Sequence, residues 1–321
     1  MPETLDFEEP IAPLLKQLDE LLSLPRTDSA QREIDALQKK IESMRAGVYA
    51  SLTPWQRVQV ARHPNRPGLE SFIGLMFDGF VEIHGDRRFA DDHAIMTGFA
   101  EYKGQPVLVV GHVKGVDTKE KIFRNFGYAR PEGYRKALRT MRLAEKFGRP
   151  IIVFIDTPAA YPGIESEERG VAEAIAVNLR EMMVLDTPII VIVSGEGGSG
   201  GALGIAVGDA VLMQEYAIYS VIPPEGCAAI LWRDANKKVE AAEALKLTAP
   251  DLLKAGIIDR IIPEPVGGSH TDPDAAAALV VRALDEVLGE ISGLESSVRL
   301  KRRYEKFRNM GRMGIDFVDE G

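Results

Sequence analysis

The chain has 321 residues, 45% apolar, 27% charged and 7% aromatic, with a formal net charge of −9. That composition is globular rather than disordered, and its acidic total argues against a general nucleic-acid binder. Uncharged apolar runs such as 151–155 and 188–193 are far short of the ~20 residues that span a bilayer, and a single cysteine, Cys227, excludes an internal disulfide or a cysteine-cluster zinc site made by this chain alone.

The first ten residues carry four carboxylates and no base, so neither a signal nor a transit peptide is expected, and a cytoplasmic protein is. Leu14, Leu15, Leu18, Leu21 and Leu22 sit at helical spacing. A break at 25–29 separates them from Ile34, Leu37, Ile41 and Met44, which predicts a helical hairpin. Residues 1–36 are expected to form an N-terminal helical arm, 37–292 the main domain and 293–321 a basic C-terminal helical tail. Beyond 64–68, β-branched runs predict strands at 107–110, 151–155, 189–193, 211–213 and 217–222. Helices are predicted near 132–147 and 165–185, and again at 275–288. Strands apolar on both faces, alternating with helices, imply an α/β fold with a largely parallel sheet.

The charge is uneven. Residues 112–149 hold eleven Lys/Arg against four acids, and 299–312 hold seven against one. A solvated helix face explains such a run; so does a surface for an anionic ligand or acidic partner, with Lys119, Lys121, Arg124 and Arg135 as candidates.

Five glycines fall between 195 and 201, after a predicted buried strand. Three chemical readings compete with a plain tight turn. The spacing Gly195-x-Gly197-x-x-Gly200 fits a dinucleotide fingerprint, but in the wrong place and before too short a helix. Gly197-x-Ser199-x-Gly201 fits a nucleophile elbow, whose only later histidine is His270, in a glycine-rich loop. The third reading needs only backbone N–H groups, forming an oxyanion hole. Of the histidines, His63 reads as a helix-end residue, and His84 and His93 as surface or loop residues. His112, at the end of a buried strand and two residues before Lys114, is the best placed for a role. Cys227 reads as a small buried apolar side chain, and Asp156 as a residue orienting the loop that follows it.

Read in order, Ala61-Arg62-His63-Pro64, Gly85-Asp86-Arg87, Gly111-His112-x-Lys114-Gly115, Arg124-Asn125-Phe126-Gly127, Phe154-Ile155-Asp156-Thr157-Pro158, Ala160-Tyr161-Pro162-Gly163, the glycine cluster and Pro224-Glu225-Gly226-Cys227-Ala228 resemble the carboxyltransferase α subunits of bacterial acetyl-CoA carboxylase. The resemblance covers nearly the whole chain. It implies a crotonase-like (ClpP/crotonase) fold and half of an active site shared with a β subunit, in an assembly such as α2β2. The implied reaction moves a carboxyl group from carboxybiotin, on the biotin carboxyl carrier protein, to acetyl-CoA, giving malonyl-CoA for fatty-acid synthesis. Biotin carboxylase is the further partner implied. No metal is expected in this chain, since the family's zinc ribbon belongs to β. No membrane and no nucleic acid are expected as partners.

The site residues implied are Gly200, Gly201 and Gly115 as backbone oxyanion donors. Tyr161, Pro162, Gly163, Gly197 and Gly198 fall on the carboxybiotin side, and Lys121 and Arg124 toward an anionic ligand. A self-sufficient crotonase-type acyl-CoA hydratase or isomerase is the alternative; it would need a free carboxylate such as Glu165, Glu167 or Glu196. One departure from the family pattern is Ala159, where a glycine is usual. If that backbone were left-handed, alanine would cost on the order of 1 kcal/mol.

Overall fold

A computed structural model describes residues 5–23, 25 and 27–311. One eight-stranded sheet organises the chain: β1 (Asp78–Glu82), β2 (Ile95–Tyr102), β3 (Gln105–His112), β4 (Ile151–Thr157), β5 (Ile189–Gly198), β6 (Ala210–Gln214), β7 (Ile218–Ser220) and β8 (Arg260–Ile262). The spatial order is β1-β2-β3-β4-β5-β6-β8, with β7 paired to β5 off that path. The strands from β3 onward run parallel, while β1 and β2 form an antiparallel meander at one edge.

The central strands are buried on both sides, and their side chains divide with the period of two that a pleated strand imposes. Leu108, Val110, Ile151, Val153, Val191 and Val193 face the helices Pro131–Lys146 and Val171–Met182. Val107, Val109, Ile152, Phe154, Ile190 and Ile192 face the helices Leu69–Met76 and Pro273–Ser292. This is a three-layer α/β arrangement.

The strands predicted at 107–110, 151–155, 189–193 and 211–213 lie inside β3, β4, β5 and β6, and 217–222 shortens to β7. The predicted helix at 165–185 is two helices, Ile164–Glu168 and Val171–Met182. Gly170, at φ 76°, breaks the run. The N-terminal hairpin forms as expected, with Leu14, Leu15 and Leu18 packed on Leu37 and Ile41. Its second helix, Asp28–Tyr49, runs unbroken through position 36, where the arm was expected to end. Tyr49 ties it down by donating to Glu8 at 3.0 Å and packing edge-on against Tyr216.

The basic C-terminal run is helical over Ser296–Asn309 and packs on the body. Helix Ser296–Asn309 inserts Arg303 into the body, where the guanidinium donates to both carboxylate oxygens of Asp209 and to the carbonyls of Met182, Leu185 and Thr187. Residues 312–321, including Arg312 of the basic run, lie outside the described residues.

Candidate active site at the strand ends

The parallel strands β3, β4 and β5 end on one edge of the sheet, where open α/β folds place ligands. β5 changes partner there. Residues 190–193 pair with β6, whereas Glu196–Gly198 pair with β7. The glycine cluster therefore sits where one strand leaves the main sheet.

The glycines are required mostly by close approach of backbone. A β-carbon at Gly198 would overlap the Pro158 carbonyl, and one at Gly201 would overlap the Ala159–Ala160 peptide. Gly197 lies under the Tyr219 ring, while a β-carbon at Gly200 would meet nothing nearer than Ile175 at 3.5 Å. The single left-handed residue in the cluster is Ser199, at φ 49°. A non-glycine residue held in that region stores strain of the order of 1 kcal/mol, a feature that concentrates at functional turns. Ala159 is not among the left-handed residues, so alanine costs nothing at that position.

The facing loop follows β4. The Thr157 hydroxyl lies 2.7 and 2.9 Å from the carbonyls of Gly127 and Ala159, with its one proton to give to either. Tyr161 is stacked by Arg130, 4.8 Å from its ring centre, and its ring covers Gly163. Gly115, at φ 82°, packs on the Glu120–Lys121 peptide, 2.6 Å from where its β-carbon would be. The backbone that meets Gly201 is thus Ala159–Ala160 rather than Gly115.

A chain of charges braces these loops. Lys114 Nζ lies 2.7 Å from Asp156 Oδ1 and 2.7 Å from Glu196 Oε1. The other Glu196 oxygen accepts from Arg62 at 2.6 Å, and Arg62 reaches Glu225 at 2.7 Å. The Glu196 N–H donates to Asp156 at 2.9 Å. Burial opposes the Lys114 charge, but Asp156 and Glu196 outweigh it and hold its pKa above the ordinary value. Burial pushes Glu196 up, yet Lys114 and Arg62 prevail and keep it below the usual carboxylate range. Glu196 is therefore a fixed carboxylate at neutral pH, not an acid or base free to exchange a proton. Glu165 and Glu167 are exposed on their short helix. Glu196, the one of the three buried among these loops, does not supply the free carboxylate that a hydratase requires.

The candidate residues fall around three openings. Gly115 and Lys121 line a cavity of about 160 Å³ together with Arg62, Lys114 and Asp156. Gly197 and Gly198 line a cleft of about 20 Å³ beside Glu196. Ser199 and Gly200 border an apolar groove of about 430 Å³ with Leu203, Tyr219, Val221 and Phe307. Tyr161, Pro162 and Gly163 form the outer rim of the β4 loop.

Two of the four candidate anion-binding bases are already engaged. Arg124 is buried against Glu70 at 2.7 Å, and Arg135 is held by Asp86 and Glu132 at 2.7 and 2.9 Å. Carboxylates distant in sequence, Glu70 and Asp86, hold both. Lys119 is exposed and Lys121 half-buried, with no ion pair among the described residues.

The histidines decide further points. His112 is fully buried with no hydrogen-bond partner on either ring nitrogen; the carbonyls of Gly201 and Phe154 lie nearby without ordinary bonding geometry. Burial, helped by Lys114, pushes its pKa down to about 3. It has no access to substrate, contrary to its promising place in the sequence. Its Hε1 NMR signal is expected to stay unshifted from pH 5 to 9; a titration near 6.5 would contradict this environment. His270 stacks on His63 with ring centres 3.8 Å apart, and burial holds its pKa down at about 3. Its neighbours are His63 and Gly268 rather than Ser199, which removes the nucleophile elbow. The five-residue helix Ser199–Leu203 likewise removes the dinucleotide fingerprint.

Sequence reasoning placed Lys114 and Asp156 near the site but missed the pairing of Arg62 with Glu196. The two are 134 residues apart, and no spacing in the chain announces it. Among the described residues, no group of three or more His, Cys, Asp or Glu could hold a metal ion, and no helix is long and apolar enough to cross a membrane.

Comparison with known proteins agrees with this geometry. Residues 4–311 match the family described as acetyl co-enzyme A carboxylase carboxyltransferase-like. The chain is 55% identical over 309 residues to the acetyl-coenzyme A carboxylase carboxyl transferase subunit alpha of Geobacter metallireducens, covering 96% of this chain and 97% of that one. It is 58% identical to the Geobacter sulfurreducens protein of the same name, over 85% of this chain and 86% of that one. Among solved structures, the transcarboxylase 12S hexamer with methylmalonyl-coenzyme A superposes with a TM-score of 0.59 at 19% identity, over 72% of this chain and 43% of that one. A Pseudomonas malonate decarboxylase hetero-tetramer with coenzyme A gives 0.54 at 18% identity, over 67% of this chain and 86% of that one. At these identities the structural likeness speaks for the fold, which is crotonase-like.

Proposed function

The chain belongs to the acetyl co-enzyme A carboxylase carboxyltransferase-like family, and from that premise we propose how its residues serve the reaction. It is the α subunit of a carboxyltransferase, working with a β subunit to carry a biotin-borne carboxyl group to acetyl-CoA and form malonyl-CoA. Carboxybiotin, carried on its protein, supplies an activated carboxyl group when bound; everything else here concerns this chain's own atoms.

The observation that carries the reading is the seating of Gly201 against the Ala159–Ala160 peptide at the end of the parallel strands. Backbone N–H groups fixed in such a place stabilise a developing oxyanion with no reorganisation during the reaction. Gly200 and Gly201 provide donors on one side. Gly115, in the loop after β3, is the expected opposite donor, and the Ala159–Ala160 peptide fixes the position of Gly201. Lys114, braced between Asp156 and Glu196, holds the loops after β3, β4 and β5 in register. Gly197 and Gly198 admit the β4 loop, and Tyr161, Pro162 and Gly163 form its rim. The open space at Gly200 and the apolar groove beside it suit the ring of a carrier-borne biotin.

A partner completes the site in this reading. Large apolar side chains stand exposed on the segment after β3, including Val116, Ile122 and Phe123, and again at Ile230 and Leu231. Such surface is characteristic of an interface. We assign it to β, which would carry the zinc ribbon, in an α2β2 assembly serviced by biotin carboxylase in the cytoplasm.

Reconstitution tests this. The chain alone is expected to be inactive with malonyl-CoA and a biotin derivative, and active once a zinc-ribbon β subunit is added. Ser199→Ala in that complex is expected to keep most of the rate, since no nucleophile is involved. Hydration of an enoyl-CoA by the isolated chain would instead support the hydratase alternative, which neither the fixed Glu196 nor the carboxyltransferase relatives favour.

A further inference from the structure

A further opening has no place in the chemistry above. Helices Pro131–Lys146 and Val171–Met182, with the loop before β2, enclose a groove of about 620 Å³. This falls within the size range of small-ligand sites. Six bases line it: Arg88 from the loop, Arg135, Arg139, Arg142 and Lys146 from the first helix, and Arg180 from the second. Two acids, Asp86 and Glu173, oppose them.

The four bases of the first helix follow at i, i+4, i+7 and i+11, so they form one stripe. Like charges at that spacing disfavour a helix rather than support it. Two further elements turn their own cations onto the same stripe. Part of this charge is neutralised nearby, because Arg135 pairs with Asp86 and Glu132, while Arg142 and Arg180 share Glu181. The remainder is not. Arg139 donates to the carbonyls of His84 and Gly85, and no carboxylate pairs with Arg88, Arg139 or Lys146 among the described residues. Burial and the neighbouring Arg87 hold the Arg139 guanidinium below its ordinary pKa, an unfavourable position for a cation that a bound anion would relieve. Leu138, Leu143 and Val177 give the groove an apolar wall.

From two elements that turn unpaired positive charge onto an apolar-walled groove, beside a third whose Arg180 shares Glu181 with Arg142, we infer that it binds the phosphates of a nucleotide-sized ligand, with the base or another flat apolar group against Leu138, Leu143 and Val177. The ligand chemistry is that of an adenosine phosphate. Its source is either a free nucleotide or the nucleotide portion of the CoA substrate. The inference does not depend on the oxyanion assignment, since Ile175 turns toward Gly200 while Ala174, Val177 and Asn178 of the same helix face the groove.

Calorimetric titration of the full-length chain with ATP and with 3′-phosphoadenosine 5′-phosphate, at 50 and 200 mM salt, tests it. At least one is expected to bind, more weakly at the higher salt because the charges are partly exposed. Arg88→Gln/Lys146→Gln removes two bases that hold no ion pair, and should weaken binding about tenfold or more with unchanged thermal unfolding. In the reconstituted complex, a raised KM for malonyl-CoA with kcat retained in this variant identifies the substrate's own phosphates as the source. An unchanged KM together with weakened ATP binding identifies a free nucleotide. Failure of the wild-type chain to bind either compound at 50 mM salt, equal affinity in the double variant, or tighter binding of a poly-glutamate peptide than of either nucleotide would each overturn the inference.

Discussion

Gly201→Ala is expected to lower carboxyl transfer by about 10²–10³ in kcat, the loss typical of one missing oxyanion donor. The added methyl group has nowhere to go, because its carbon would occupy the Ala159–Ala160 peptide and those backbone atoms cannot rotate aside. The β4 loop must shift, and with it the geometry on which donors 2.7–3.1 Å from the reacting oxygen depend. Some loss of stability accompanies the shift, so a control is needed. Gly200→Ala puts the same methyl group 3.5 Å from Ile175, an ordinary contact, and should unfold at nearly the wild-type temperature. The assay is exchange between malonyl-CoA and a biotin derivative in the complex with β. Retention of more than a tenth of wild-type kcat by Gly201→Ala would sink the assignment. If Gly200→Ala is fully folded yet inactive, the apolar groove beside it holds substrate.

Arg303→Met should destabilise the fold by about 3–5 kcal/mol, the cost of leaving a buried carboxylate without its cation. Arg303 exposes none of its side chain and Asp209 only 4%. The lost guanidinium would also abandon three carbonyls, those of Met182, Leu185 and Thr187. Asp209 keeps one donor, the Ile189 N–H at 2.8 Å, which does not neutralise it. Arg303→Met/Asp209→Asn should recover part of the loss by removing the stranded charge. Lys301→Ala, in the same basic run but 75% exposed, should change stability by less than about 0.5 kcal/mol. Denaturant midpoints measure all three. A change below about 1 kcal/mol for Arg303→Met would mean that the C-terminal helix is not fastened as described.

The antiparallel edge shows one limit of reading the chain. β2 carries Gly98 in mid-strand, an ordinary mark against a strand. It is needed because the Phe80 ring and the Val81 carbonyl of β1 come too close for any side chain. The glycine cluster was legible as a place of close approach, but the partner that approaches was not. The Ala159–Ala160 peptide that packs on Gly201 lies some forty residues earlier.

By itself, the sequence determined the layered α/β core, because strands 107–110, 151–155 and 189–193 are apolar at every position and need cover on both faces. It also determined the helical hairpin, the glycine-rich turn and, through its ordered motifs, the family. What only the tertiary structure decided was the fate of the charges. Arg124, Arg135 and Arg303 look alike in the chain as members of basic runs, yet each is neutralised inside the fold, while Arg88, Arg139 and Lys146 are not. Burial of apolar residues follows from local periodicity, which a sequence displays. The pairing of an ion depends on which carboxylate lies within about 4 Å, and here that partner is 94 residues away for Arg303 and 134 for Arg62.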